Sequence, residues 1–269
     1  MLYTFDHLDI IKKALRRSPF GLITDVDGTI SQTAPTPKQA EVSPLCRQYL
    51  SILCDHLALV AAISGRPAAE VKNMIRIDGM LYIGNHGMER WKEGRAEYTK
   101  EAQAYSRVIK AAIEKLSRLL PTEGVYIEDK GVTATIHYRL SPEPQSAEKH
   151  IITVVGNLPQ LKKLRIVRER MAIDLLPPIK VNKGTAILDL IREYNLKGGI
   201  YLGDDFTDID AFRAVRVASR DSNFQGFAIG IVSQEMPDGL VAEADFTLDG
   251  VSDVERFLKW MSQTAPQSS

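Results

Sequence analysis

The chain alternates short apolar runs with amphipathic helical stretches near both of its ends, and this rhythm constrains the fold most strongly. In the first third, the runs FGLITD, LALVAAIS and MLYIGN are separated by helical stretches within residues 37–54 and 67–77. The rhythm returns later in NKGTAILDLIREYN, GGIYLGDD, DIDAFRAV and GFAIGIV. Strands that alternate with helices form βαβ units, so both parts are predicted to contribute to one α/β parallel sheet.

The middle of the chain has a different order of elements. From about residue 95 the pattern predicts a long helix, two strands joined by the turn EDKG, a helix after SPEP, and two strands in LKKLRIV and MAIDLLP. This αββαββ order is typical of a small α+β unit inserted into the parallel-sheet domain. We therefore expect a core domain of residues 1–94 and 180–269 and an inserted cap domain of residues 95–179.

The overall charge balance excludes partners that bind through a general electrostatic attraction. The chain has 269 residues, with 34 basic and 34 acidic side chains, so no nucleic acid or membrane partner is expected. No apolar run approaches the roughly 20 residues of a membrane span, and the N-terminal sequence lacks the pattern of a signal peptide. Cys46 and Cys54 are eight positions apart in one predicted helix, too far for a disulfide. These features predict a cytoplasmic protein.

Reactive side chains follow several of the predicted strands. Asp25, Ser64 and Asp204 each come directly after an apolar run, and Lys183 begins the helix before the Asp204 strand. In parallel α/β sheets, ligands collect beyond the carboxyl ends of the strands. A carboxylate at that edge can hold Mg²⁺ or attack phosphorus to form an aspartyl phosphate. The spacing therefore predicts a site for phosphoryl transfer.

The chemistry assigns Asp25 as the nucleophile and Asp27 as the residue that carries the proton of the leaving oxygen. Attack of an anion on a phosphate is opposed by about 4 kcal/mol per charge pair at about 4 Å, so cations are needed. Mg²⁺ on Asp25 and Asp204 together with the Lys183 ammonium would supply them, while Ser64 donates to a phosphate oxygen. Each motif alone also has a structural interpretation as a turn, a helix cap or a solvated lysine.

The motifs DVDGT, SGR, NKG and GDDFTD, in this order, resemble the four motifs of the haloacid dehalogenase superfamily of phosphatases. The resemblance implies a Rossmann-like core with a cap, and Asp25 and Asp27 as nucleophile and general acid and base. It implies Mg²⁺ as cofactor. Its implied ligands are the carboxylates Asp25 and Asp204, the backbone carbonyl of Asp27 and the supporting acid Asp208. The implied phosphate-binding residues are Thr29, Ser64 and Lys183.

The position of the cap and the motifs GNHGMER, EDKG, IHYR and GDDFTDIDAF look like those of the trehalose-phosphatase family. This resemblance implies trehalose 6-phosphate as the small-molecule substrate and a functional pairing with a trehalose-phosphate synthase. The residues expected to bind substrate, from this resemblance and from the polar face of the GVTATIHYR strand, are Arg66, His86, Glu128, Lys130, His137 and Arg139. The family often has glutamate where this chain has Asp174.

Three functions remain open from the sequence. The first is a Mg²⁺-dependent phosphatase for trehalose 6-phosphate, and the second is a phosphatase for another sugar or glyceryl-sugar phosphate. The third is a catalytically silent domain that binds phosphosugars and regulates a partner. The complete set of Asp25, Asp27, Lys183 and Asp204 favours an enzyme. The EDKG segment has an alternative interpretation as an exposed hairpin tip whose charges contribute only to solubility.

Overall fold

A computed structural model describes residues 2–34, 36–169, 171–233, 236–237 and 239–266. The strands are β1 (Phe20–Thr24), β2 (Leu59–Ile63), β3 (Leu81–Gly84), β4 (Glu89–Lys92), β5 (Arg95–Tyr98), β6 (Tyr126–Asp129), β7 (Ala134–His137), β8 (Arg165–Glu169), β9 (Ala172–Leu176), β10 (Gly198–Gly203), β11 (Gln225–Val232) and β12 (Phe246–Asp249). The helices are α1 (Leu8–Leu15), α2 (Pro44–His56), α3 (Ala68–Ile75), α4 (Lys100–Gln103), α5 (Ser106–Leu116), α6 (Pro144–Asn157), α7 (Lys183–Glu193), α8 (Phe206–Ala218), α9 (Leu240–Glu243) and α10 (Gly250–Thr264).

The larger sheet has the strand order β12-β11-β10-β1-β2-β3-β4-β5. The strands from β12 to β3 run parallel, and β4 turns back antiparallel to β3. The centre of the sheet is therefore built from two distant parts of the chain, since β1 lies between β2 and β10. The predicted α/β class with a parallel-sheet core is confirmed.

Helices cover both faces of this sheet. Successive strand residues point to opposite faces, and here the residues on both faces are apolar. Leu22 of β1 packs in a core cluster with apolar residues of α1, α2, α3 and α10. Its neighbour Ile23 packs in a second cluster with residues of α7 and α8. Burial of both faces explains why β1, β2 and β10 read as continuous apolar runs rather than as alternating ones.

The smaller sheet has the order β6-β7-β9-β8 and is antiparallel. Ile136 and Ile173 pack with apolar residues of α5 and α6, which cover one of its faces. The chain divides into two compact units: one contains residues 1–34, 40–96 and 181–269, and the other contains Glu97–Lys180 with the short stretch that ends at Gln39. The αββαββ order of the second unit is that of α5, β6, β7, α6, β8 and β9.

Of two predicted helices, one is found and the other is interrupted. The helix predicted within residues 37–54 is present as α2, which begins at Pro44 where Ser43 caps it by accepting a hydrogen bond from Cys46. The long helix predicted from residue 95 is interrupted, because β5 occupies its start and α4 and α5 follow separately. Glu93 and Gly94 both have positive φ, of 50° and 84°, which is the two-residue turn that favours a β4–β5 hairpin.

Within the described part of the chain, no helix is long and apolar enough to cross a membrane.

Candidate active site

The carboxyl ends of β1, β2 and β10 bring three of the predicted residues to one edge of the larger sheet. Thr24, at the end of β1, is in register with Leu202 of β10 and Ala62 of β2. The residues that follow these positions therefore leave the sheet side by side. Asp25, Ser64 and Asp204 are all buried there, with 5%, 2% and 1% of their surface exposed.

Lys183 joins the carboxylates of this edge. Its Nζ lies 2.7 Å from Asp25 Oδ1 and 2.6 Å from Asp208 Oδ1, and the side chain is buried. Lys183 is the first residue of α7. The N-cap residue Asn182 forms a capping box with Thr185, in which the side chain of each accepts a hydrogen bond from the backbone N–H of the other. Asn182 also donates to Asp210 Oδ2 at 2.9 Å. The start of α7 is thus fixed, and the ammonium is directed at the end of β1.

Asp208 is held by donors on both of its oxygens. Oδ1 accepts from Lys183 Nζ and, at 2.6 Å, from the Tyr201 hydroxyl. Oδ2 accepts from the backbone N–H groups of Asp204 and Asp205, both at 2.9 Å. This arrangement is the capping box of α8, with Asp205 as N-cap. Asp208 therefore fixes the lysine and the turn after β10, and its oxygens are already occupied by hydrogen bonds.

The charges at this edge are suited to a cation. One carboxylate oxygen from each of Asp25, Asp204 and Asp208 lies within 4.8 Å of the others, and Lys183 supplies a single balancing ammonium. Burial raises the pKa of Asp25, Lys183 opposes this, and the charges of Asp208 and Asp204 raise it further, so it stands well above its ordinary value. Burial lowers the pKa of Lys183, but Asp208 and Asp25 outweigh it and hold the pKa well above 10.5. Hard oxygen ligands with excess negative charge fit Mg²⁺.

The DGT turn packs directly against Asp204. Gly28 has a φ of 82°, and a Cβ there would lie 2.0 Å from Asp204 Oδ2, so both the conformation and the space require glycine. The Thr29 hydroxyl, which the resemblance assigned to phosphate, donates to Asp204 Oδ1 at 3.1 Å. In this structure Thr29 orients the carboxylate of a candidate metal ligand.

Asp27 forms an ion pair with Arg66. Arg66 Nε donates to Asp27 Oδ2 at 2.6 Å, and its Nη2 donates to Asp27 Oδ1 at 2.8 Å. Its Nη1 pairs with Glu70 of α3. Desolvation acts to lower the pKa of Arg66, but the two carboxylates outweigh it and raise the pKa. Arg66, predicted to bind substrate, is therefore brought beside the predicted proton-transfer residue.

Ser64 and His86 lie on two loops that are bonded to each other. The Ser64 carbonyl accepts from His86 N, and the Arg66 carbonyl accepts from Asn85 N, both at 2.9 Å. Ser64 Oγ accepts from Arg66 N at 3.2 Å. The His86 ring packs on Gly65, where a Cβ would lie 2.6 Å from Cε1.

The other predicted substrate-binding residues lie in the second unit. Glu128 Oε2 is 2.8 Å from His137 Nε2 and 3.9 Å from Lys130 Nζ, and the ring of Tyr126 stacks on His137 at 4.5 Å. Lys130 is only 8% exposed, so the interpretation of EDKG as a solvated hairpin tip is wrong for this lysine. Arg139 is half-buried two residues beyond His137.

Sequence reasoning missed several residues that hold the site together. Tyr201 is a fully buried tyrosine within an apolar strand, and such a hydroxyl usually has a polar partner. Glu89 in GNHGMER is 2% exposed and accepts from Asn85 and Ala68. Asn182, next to Lys183 in the NKG motif, caps α7. The available signal was a polar residue inside an apolar strand for Tyr201, and a polar residue within a motif for Glu89 and Asn182.

A family model and curated relatives show which family the chain resembles. The sequence model described as trehalose-phosphatase matches residues 23–249. The chain is 32% identical over 251 residues to a trehalose-phosphate phosphatase of Mycobacterium leprae, covering 89% of this chain and 56% of that protein. It is 30% identical over 262 residues to an uncharacterized glycosyl hydrolase of Mycobacterium tuberculosis, covering 94% of this chain but 19% of that protein. The chain thus spans only part of these two curated relatives.

Solved structures have the same fold. The C-terminal domain of a trehalose-6-phosphate phosphatase from C. albicans superposes with a TM-score of 0.76 at 18% identity, covering 96% of this chain and 97% of that one. The C-terminal domain of a trehalose synthase regulatory protein from Candida albicans gives 0.67 at 14% identity, covering 93% and 97%. At these identities the likeness concerns the fold alone.

Proposed function

The chain belongs to the trehalose-phosphatase family, and from this premise we propose that it hydrolyses trehalose 6-phosphate to trehalose and phosphate through an aspartyl phosphate on Asp25. The observation that carries the proposal is the buried contact of Asp25 with Lys183, beside Asp204 and Asp208. A carboxylate that acts as nucleophile toward a phosphate needs a fixed cation next to it, and Lys183 Nζ lies 2.7 Å away.

The first step forms a bond between an Asp25 oxygen and phosphorus and breaks the bond between phosphorus and the sugar oxygen. Asp27 donates its proton to the departing sugar oxygen. Arg66 donates one hydrogen bond to each oxygen of Asp27, and each oxygen keeps a second lone pair that can carry the proton. Arg66 therefore orients the carboxylate while Asp27 transfers the proton.

The second step returns the enzyme to its starting state. Asp27, now ionised, takes a proton from a water molecule whose oxygen attacks phosphorus, and the bond between Asp25 and phosphorus breaks. The Ser64 hydroxyl and the Lys183 ammonium donate to the phosphate oxygens in both steps. Two displacements at phosphorus leave one phosphate and one sugar, and no redox cofactor is involved.

Mg²⁺ is the cofactor that this donor set fits, and Asp25, Asp204 and the Asp27 carbonyl would hold it. When bound, it neutralises charge on the phosphate and the attacking carboxylate. Asp208 positions these groups, because it accepts hydrogen bonds from Lys183 and from the backbone of the turn after β10. We propose that the sugar is recognised by the cluster of Glu128, Lys130 and His137. Sugar hydroxyl groups both donate and accept hydrogen bonds, and this cluster offers donors and acceptors together.

A panel of phosphate esters tests the proposal. Phosphate release from trehalose, sucrose, glucose and mannosylglycerate phosphates would be measured with Mg²⁺ and with a chelator, using Asp25→Asn as the matched inactive variant. Preference for trehalose 6-phosphate supports the proposal, while preference for another ester supports the second candidate. No release from any ester, including p-nitrophenyl phosphate, would leave the silent phosphosugar-binding domain.

Two further expectations accompany this function. A trehalose-phosphate synthase would supply the substrate, so we propose a functional pairing with such an enzyme. A reducing, cytoplasmic location is proposed from the two free thiols, Cys46 and Cys54, which lie in α2. Burial raises the pKa of Cys46 to about 12 and that of Cys54 to about 11, so neither is a reactive thiolate at neutral pH.

A further inference from the structure

Glu89 is a buried carboxylate that lies beside the carboxyl end of β3, at the same edge of the sheet where Asp25 follows β1. It is the first residue of β4 and is in register with Gly84, and only 2% of its surface is exposed. Oε2 accepts from Asn85 Nδ2 at 2.7 Å and from the backbone N–H of Ala68 at 3.0 Å. One oxygen therefore connects β4, the loop after β3 and the first residue of α3.

These two partners flank the phosphate-binding segment, which comprises Ser64, Gly65 and Arg66. Ala68 begins the helix that follows the segment, and Asn85 N donates to the Arg66 carbonyl. His86 N donates to the Ser64 carbonyl, and Ser64 N donates to Ile83 O at 3.0 Å. The segment is thus bonded along its length to the loop that Glu89 holds.

The loop needs such support because its backbone is strained. Asn85 and His86 have φ values of 48° and 58°, a left-handed conformation that is unfavourable for residues other than glycine. Gly84 is packed so closely that a Cβ would lie 2.2 Å from Ala68 N and 2.8 Å from Glu89 Oε2. Burial raises the pKa of Glu89, although the hydrogen bonds from Ala68 and Asn85 oppose this.

We propose that Glu89 is a positioning residue for phosphate binding, which through Asn85 and Ala68 holds the Ser64 hydroxyl at the place where the phosphate of the substrate binds. The proposal rests on the proposed function, since it concerns how tightly a phosphate ester is held. Glu89 does not contact the reacting atoms itself. It acts through the backbone of the phosphate-binding segment, where a displacement of about 1 Å can cost about 100-fold in rate.

The test compares Glu89→Leu and Glu89→Gln with matched changes at Asp245. Asp245 is also a carboxylate whose pKa burial raises, and its Oδ2 accepts from the backbone N–H of Ala228 at 2.8 Å. It precedes β12, so it lies at the amino edge of the sheet, opposite the site. Kinetics with p-nitrophenyl phosphate and trehalose 6-phosphate, inhibition by inorganic phosphate and thermal unfolding would be measured for each variant.

We expect Glu89→Leu to raise KM and the inhibition constant of phosphate by about 10- to 100-fold. The factor should be similar for both substrates because both carry the phosphate that the segment binds. Glu89→Gln should recover most of the loss, since a single amide oxygen can accept both hydrogen bonds. Asp245→Leu should lower the melting temperature without changing either constant.

Unchanged kinetic constants in a folded Glu89→Leu protein, or equal changes in the Asp245 variant, would overturn the proposal. If Glu89→Leu does not fold, Asn85→Gly removes the other end of the contact while tolerating the positive φ, and the same shifts are expected. If the unaltered protein hydrolyses no phosphate ester, the proposed function fails. Calorimetric titration with inorganic phosphate then decides separately whether Glu89 supports phosphate binding.

Discussion

The guanidinium of Arg66 donates to both carboxylate oxygens of Asp27, at 2.6 Å and 2.8 Å. The two residues have unequal surroundings, because the side chain of Arg66 is 8% exposed while that of Asp27 is 40% exposed. A two-point contact from a buried, planar donor fixes both the position and the rotation of the carboxylate. The proposed proton donor is therefore oriented by the protein and still accessible to a leaving group.

Arg66→Gln should impair leaving groups of high pKa most. Loss of the two-point contact lets the Asp27 carboxylate rotate, and proton transfer typically contributes about 10²- to 10⁴-fold. We expect kcat for trehalose 6-phosphate to fall by about 10-fold or more, and kcat for p-nitrophenyl phosphate, whose leaving group needs no proton, to fall much less. Asp27→Asn should show the same pattern more strongly, and an equal loss on both substrates would contradict this role.

Asp25→Asn should abolish turnover without unfolding the protein. An amide is a far weaker nucleophile than a carboxylate and a poorer ligand for Mg²⁺. Mass spectrometry of the acid-quenched enzyme should find a phosphorylated peptide containing Asp25 in the unaltered protein and none in the variant. Substantial activity in a folded Asp25→Asn sample would exclude the aspartyl-phosphate mechanism.

Tyr201→Phe should reduce activity through Asp208. The change removes one hydrogen bond to a buried carboxylate, worth about 1.5–3 kcal/mol of unfolding free energy, while Lys183 and the backbone donors remain. Tyr82→Phe is the matched control, since the Tyr82 hydroxyl donates to the Ile77 carbonyl at 2.6 Å within the core. Both variants should lose stability, and only Tyr201→Phe should lose kcat/KM.

Affinity for Mg²⁺ should fall as the pH is lowered. Protons and Mg²⁺ compete for the same carboxylate oxygens, and burial raises the pKa of Asp25 well above its ordinary value. The competition therefore begins at a higher pH than for an exposed aspartate. Calorimetric titration with Mg²⁺ at about pH 7.5 and about pH 5.5 should show weaker binding and greater proton release at the lower pH. Equal affinity at both values would contradict Asp25 as a ligand.

Glu128→Ala and Lys130→Ala should each reduce kcat/KM for trehalose 6-phosphate by a factor that corresponds to about 1–3 kcal/mol of lost transition-state binding. The loss is expected because buried polar partners are left unpaired. Hydrolysis of p-nitrophenyl phosphate should hardly change, since this ester has no sugar. Glu114→Ala on the exposed side of α5 serves as the control. Parallel losses on both substrates, or none on either, would remove this cluster from the sugar site.

The sequence predicted the groups that carry charge better than the groups that hold them. Asp25, Lys183 and Asp204 could be placed at one edge because each follows or precedes an apolar run, and strand ends meet in a parallel sheet. The support of Asp208 by Tyr201 depends on residues whose directions only the packed sheet fixes. Likewise, the contact between Thr29 and Asp204 follows from the close approach at Gly28, which no local pattern reveals. The hairpin of β4 and β5 was missed although its Glu93 and Gly94 turn was readable.

The position of β1 between β2 and β10 has a consequence for synthesis on the ribosome. Asp25 meets Lys183 across 158 positions of sequence, and at about 5–20 residues per second the lysine follows roughly 8–32 s later. Until β10 is made, β1 offers an unpaired apolar edge, which is a hazard for aggregation. The second unit, with its own core, is synthesised during this interval. The nascent chain must therefore keep half a sheet from misassociating before its central strand is paired on both sides.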